Sequence, residues 1–140
     1  MRSTNVRSFY DTSVLVYTDD QRYPEKLNRS IELFDAALRN AAGVVSTQVL
    51  QEYFVTITRK LNVTAEVAQR KVEVIAELDV VHIDVPIILR AIELHRLHQL
   101  SFWDALIVQA AIQARCTRLY TEDLQHGHRI QGVEIVNPFV

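Results

Sequence analysis

Apolar positions fall in short runs whose spacing switches back and forth along the chain. The run from Val6 to Tyr17 breaks at Asp11-Thr12-Ser13 and predicts a short strand entering a helix. After Tyr23-Pro24-Glu25 the spacing becomes three and four. Leu27, Ile31, Phe34 and Leu38 form a stripe, with Leu33 and Ala37 beside it, and so predict an amphipathic helix. Gly43-Val44-Val45-Ser46 predicts a second strand, followed by a helix through Leu50, Tyr53, Phe54, Ile57 and Leu61. Thr64 is placed to cap another helix, with Val67, Val74, Ile75 and Leu78 on its apolar side. Val80-Val81-His82-Ile83 predicts a third strand, and Pro86 opens a helix to about Gln99. Ser101 begins a helix from Phe102 to Arg115, and Arg118 to Thr121 and Val133 to Val136 predict the last two strands.

Strands alternating with helices predict a parallel sheet of about five strands covered on both faces, with two-helix insertions after the second and third. The expectation is an α/β class, three-layer α/β/α domain. Its 140 residues suit one domain, residues 1–140, with one hydrophobic core.

Composition adds mainly exclusions. At 49% hydrophobic and 23% charged residues the chain reads as globular, and a net charge of −2 confines any polyanion site to a local patch. Twelve of the 15 basic residues are Arg, a bias that suits bidentate phosphate contacts, although scattered surface Arg accounts for it equally. One cysteine, Cys116, allows no intramolecular disulfide and reads as a packed thiol. No stretch reaches the ~20 apolar residues of a membrane span, and the N-terminus with Arg2 and Arg7 does not read as a signal peptide, so a cytoplasmic setting is expected. No glycine-rich phosphate loop occurs, and His95 and His98 lack the partners of a zinc site.

The acidic residues carry the chemistry. In open α/β sheets sites form beyond the carboxyl ends of the strands. Asp11 ends the first strand, Glu52 lies in the first turns after the second, and Asp104 opens the helix leading to the fourth. Glu122 and Asp123 follow the fourth. Each has an ordinary alternative. Asp11 can cap its helix, but it interrupts an apolar segment where a carboxylate must be paired or bind a cation. Ser101 to Asp104 has capping-box spacing, yet Asp104 is the only charged residue from Phe102 to Ala114. Glu52 projects almost opposite the apolar face of its helix, so the wheel alone calls it solvated. Asp123 reads equally as a loop residue. Clustered carboxylates repel one another, and a hard cation removes that conflict; oxygen ligands favour Mg²⁺ or Mn²⁺.

Four segments taken together resemble the PIN-domain family: Phe9-Tyr10-Asp11-Thr12-Ser13-Val14-Leu15-Val16-Tyr17, Ser46-Thr47-Gln48-Val49-Leu50-Gln51-Glu52, Ser101-Phe102-Trp103-Asp104-Ala105-Leu106-Ile107, and Leu119-Tyr120-Thr121-Glu122-Asp123-Leu124-Gln125-His126-Gly127. The resemblance implies a PIN fold and a metal-dependent endoribonuclease most like the VapC toxins. It carries the metal-ligand role onto Asp11, Glu52, Asp104 and Asp123, and the orienting hydroxyl onto Thr121. It further implies RNA as substrate, an antitoxin partner and a homodimer, for which the hairpin from about Gln48 to Leu78 offers apolar surface. Rival readings are a structure-specific DNA nuclease and a module that binds RNA or protein without turnover. Arg22, Lys26, Arg29, Arg59, Lys60, Arg70 and Lys71 read either as an RNA-facing rim or as solvated surface. For Tyr10, Tyr17 and Trp103 core packing is the expectation over base stacking.

Overall fold

The computed structural model describes residues 6–140; Arg2, used in the N-terminal reading, lies outside the described residues. The chain runs β1 (Ser8–Tyr10), α1 (Thr12–Val16), α2 (Pro24–Asn40), β2 (Gly43–Ser46), α3 (Thr47–Lys60), α4 (Ala65–Ile75), β3 (Asp79–Val81), α5 (Val85–His98), α6 (Phe102–Gln113), β4 (Arg118–Tyr120), β5 (Arg129–Ile130) and β6 (Val133–Val136), with a 3-10 turn over Tyr17–Asp19. The helix starts follow local chemistry. Ser46, Thr64, Asp84 and Ser101 each accept a first-turn backbone N–H and so satisfy donors that a helix leaves free. Among the described residues no helix is long and apolar enough to cross a membrane.

The sheet has the order β3-β2-β1-β4-β6-β5 and is parallel except for the last pair. Consecutive strand residues point to opposite faces, and Ser8, Phe9 and Tyr10 of β1 and Gly43 to Ser46 of β2 are all buried. Both faces are therefore covered, and the α/β/α layering holds. Helix α6 lies across β2, β4 and β6 with α5 packed on it, while α3 packs on α1 and α4. Cys116 is buried in this core, and burial pushes its thiol up to about 12, which keeps it an unreactive packing group.

The sheet has a sixth strand that the hydrophobic pattern does not announce. β5 is only two residues long and reaches β6 through Gln131 and Gly132, both with positive φ (48° and 88°), as a type I′ hairpin turn requires. The stripe expected on α2 is also rotated. Ser30, Leu33 and Ala37 are buried, whereas Ile31 is exposed, because α2 meets β2 through its small residues. Gly43 permits that approach, since a Cβ there would lie 2.7 Å from Ala37 Cβ and 3.0 Å from a Leu78 methyl.

Candidate functional site

The chain leaves β1 toward β2 and β3 on one side and later returns to build β4 and β6 on the other. The carboxyl ends of β1 and β4 therefore flank the topological switch point, where α/β sheets open a crevice. Asp11 stands at the end of β1, its backbone N–H bonded to Tyr120 O of β4 (3.0 Å). Thr121 follows β4 directly.

Asp11 is buried and is the N-cap of α1. One of its carboxylate oxygens accepts the Thr12 N–H (2.7 Å) and the other the Thr121 hydroxyl (2.7 Å). Thr121 is fully buried, and its Oγ1 also accepts the Asp123 N–H (3.1 Å). One hydroxyl thus ties the acids after β1 and β4. Burial pushes the Asp11 carboxyl up to about 7 against the pull of the Thr121 bond, and the nearby charges of Asp123 and Glu52 push the same way. Asp123 is likewise held above its usual range, by partial burial and then by Asp104, Glu122 and Glu52. The Asp123 residue as a whole is exposed.

Glu52 is half-buried, against the solvated reading of the wheel. Helix α3 packs on α1 as well as on the sheet, so it has a second contact face that one apolar stripe does not mark. Across that face the Thr12 hydroxyl donates to Glu52 Oε1 (2.7 Å), and Gln48 Nε2 donates to Glu52 Oε2 (3.1 Å). Gln48 Nε2 also reaches the Trp103 carbonyl (3.3 Å) and so joins α3 to the start of α6. Asp104 there is half-buried, with its N–H held by Ser101 Oγ (3.1 Å). Asp11, Glu52, Thr121 and Asp123 thus form one linked array, with Asp104 near enough to act on Asp123 electrostatically.

Thr12 and Gln48 carry no signal as site residues in the sequence. Thr12 stands in the apolar break, and Gln48 is the kind of polar residue that any helix surface contains. Glu122 is turned from the array: Tyr17 donates to its Oε1 (2.7 Å) and Lys26 pairs with its Oε2. The reading of Lys26 as free rim charge is corrected accordingly, since its ammonium is paired and sits over the Tyr17 ring at 4.8 Å. Ser13 Oγ accepts the Glu122 N–H (3.1 Å) and holds the backbone after β4. His126 Nδ1 accepts the Asn137 N–H (2.9 Å) and pins the C-terminal stretch. Tyr10 packs in the core as expected, but Trp103, in the first turn of α6, is exposed.

The residues fit a hard cation. All charged donors here are carboxylates, and each Asp11 oxygen has a lone pair beyond its hydrogen bond. Among the described residues no three acids close on a single point. Mg²⁺ takes one or two carboxylates directly and keeps several waters, through which further acids can hold it. Gln48 Oε1 adds an independent sign: it is buried, and no donor among the described residues reaches it. Such a carbonyl costs about 1–3 kcal/mol.

A mostly parallel sheet with linked acids at its switch point defines an α/β/α domain of the PIN type. The sequence matches the family profile described as PIN domain over residues 8–129, and the chain belongs to that family. Solved structures agree in fold. VapC20 of Mycobacterium tuberculosis, described as a Sarcin-Ricin loop cleaving toxin, superposes with a TM-score of 0.68 at 21% identity, covering 83% of this chain and 89% of that one. A toxin–antitoxin complex from Klebsiella pneumoniae gives 0.67 at 19% identity, covering 94% and 97%. VapBC2 of Rickettsia felis, bound to a fragment of promoter DNA, gives 0.64 at 21%, covering 91% and 96%. A comparison with curated protein sequences gave no match.

Proposed function

We propose that this chain is a divalent-metal-dependent endoribonuclease, the toxin of a toxin–antitoxin pair. One observation carries the reading: Thr121 and Thr12 tie the buried Asp11 carboxylate and Glu52 into one hydrogen-bonded array beside the switch point, with the Asp123 N–H bonded to the same Thr121 hydroxyl. Like charges packed this way are costly without a cation, and they would repel a phosphodiester. A divalent ion held by Asp11, Glu52, Asp104 and Asp123 would acidify a water and offset charge on the phosphoryl oxygens. The protein's own part is positional. Thr121 fixes the direction of Asp11, Thr12 and Gln48 fix Glu52, and the Tyr17–Lys26–Glu122 group keeps a further carboxylate from competing. Hydrolysis by water leaves 5′-phosphate and 3′-hydroxyl ends.

Beside Glu122 lies a cleft of about 490 Å³ lined by Arg22, Tyr23, Lys26, Arg29 and Phe139. Arg29 is exposed at its rim, Arg22 is exposed there but held by the Asp20 carboxylate (2.9 and 2.8 Å), and Tyr23 presents half its surface. Cations around aromatic rings suit a single strand with unstacked bases, which favours RNA loops as substrate. VapC20, the Sarcin-Ricin loop cleaving toxin of like fold, points the same way. The antitoxin assignment draws on the toxin–antitoxin complexes of like fold, and on an apolar groove of about 440 Å³ between α3 and α4 that includes Leu50, Phe54 and Val72. For a homodimer, the exposed Val85, Leu89 and Ile92 of α5 form a longer apolar stripe than Val55 and Val74 of the α3–α4 hairpin.

The test uses labelled RNA, matched single-stranded DNA and flap DNA with Mg²⁺ or Mn²⁺, in wild type, Asp11→Asn and Asp104→Asn. RNA cutting that both substitutions abolish is expected, with loss of growth arrest on expression. Equal cutting by all three proteins refutes the site, and preferred cutting of flap DNA refutes the substrate. Arg22→Ala with Arg29→Ala is expected to raise KM while kcat holds.

A further inference from the structure

We infer that Gln48 is a positioning residue of the cation centre, its side-chain carbonyl accepting a hydrogen bond from a water in the ion's hydration shell. The inference rests on the metal reading above. Gln48 lies in the first turn of α3 and is only 6% exposed. Its amide orientation is fixed by its neighbours. Nε2 faces a Glu52 carboxylate oxygen at 3.1 Å and the Trp103 carbonyl at 3.3 Å, and both can only accept. The reversed amide would set oxygen against oxygen. Both N–H groups are thereby used, and Oε1 is left in the interior without a donor among the described residues.

A tie between α3 and α6 accounts for the nitrogen and leaves the oxygen unexplained. What belongs at Oε1 is a donor, and the same amide already abuts the Glu52 carboxylate through Nε2. Phosphate oxygens offer no proton there, whereas the waters that Mg²⁺ or Mn²⁺ retains are polarised donors. Gln48 therefore does two things at one point. It orients Glu52 through Nε2, and through Oε1 it gives the ion's hydration shell a fixed acceptor. Removal of such an outer partner typically weakens metal binding about 10–100-fold.

The test is Mn²⁺ titration by calorimetry of wild type, Gln48→Met and Gln48→Glu, with unfolding of each followed in EDTA. Gln48→Met keeps the side-chain length and removes both the hydrogen bonds and the orphaned carbonyl, so its metal-free stability is expected near wild type. Its Mn²⁺ Kd is expected to rise about tenfold or more. Gln48→Glu keeps an acceptor and loses the amide donors, and is expected to bind Mn²⁺ at least as tightly as wild type. Equal weakening in both variants would leave only the tie and overturn the inference. So would an unchanged Kd in folded Gln48→Met, including the case in which RNA affinity alone falls. Wild type that takes up no Mn²⁺ would instead overturn the metal reading itself.

Discussion

Asp11→Asn should make the metal-free protein more stable above neutral pH while it destroys metal binding. Asp11 in the folded chain holds its proton up to about 7, against a usual 3.8. Between these values the folded state binds more protons than the unfolded state, so stability falls as pH rises from about 4 to about 7 and is level beyond. That interval corresponds to about 4 kcal/mol, an upper bound, because the unfolded chain and local relaxation both soften it. Asparagine fits the same space. Its oxygen can accept the Thr12 N–H, and its amide can donate to Thr121 Oγ1 once that hydroxyl turns. The expected result is a difference close to zero at pH 4 that grows to about 2–4 kcal/mol at pH 8, worth about 7–14 °C in Tm for a domain of this size. The assay is urea unfolding of both proteins in EDTA between pH 4 and 8.5, repeated with Mn²⁺, which should reverse the order. A difference independent of pH, or a mutant less stable than wild type at pH 8, would refute the placement of a costly charge at Asp11.

Thr121→Val removes a bond that lowers the Asp11 carboxyl, so that group should climb above about 7 and the acid limb of Mn²⁺ binding should move up by about one pH unit; Mn²⁺ titrations from pH 6 to 9 measure it, and an unmoved limb counts against the hydroxyl's role. Gly43→Ala should cost about 1–3 kcal/mol, because its Cβ meets Ala37 at 2.7 Å across the α2–β2 contact, and neither backbone can easily yield. Denaturant midpoints decide it, and an unchanged midpoint would show that α2 rides freely on the sheet.

How much of this was readable in the sequence depended on whether a residue's surroundings lay in its own segment. Asp11 and Asp104 stand out because each interrupts apolar neighbours, and chain order alone put them near the strand ends. Glu52 does not, since the surface it faces belongs to α1, about 40 residues away. A wheel drawn on α3 knows only α3. Gln48 is hidden for the same reason, its partners lying on its own helix and on α6. The parallel sheet was legible from the alternation of strand and helix patterns, whereas the two-residue β5 is too short to have a period. The pairing of Lys26 is hidden as those of Glu52 and Gln48 are, because Glu122 lies 96 residues further along the chain. Trp103 looked like core because its type usually is.

The hydroxyl of Thr121 reaches a carboxylate 110 residues earlier in the chain. During synthesis, at roughly 5–20 residues per second, β1 waits about 5–20 seconds for its partner β4 to be made. A chain interrupted before Thr121 carries Asp11, Glu52 and Asp104 and still has no assembled centre. Translation itself thus sets a delay on the array: whatever this site does begins only once β4 and Thr121 have been made and laid beside β1.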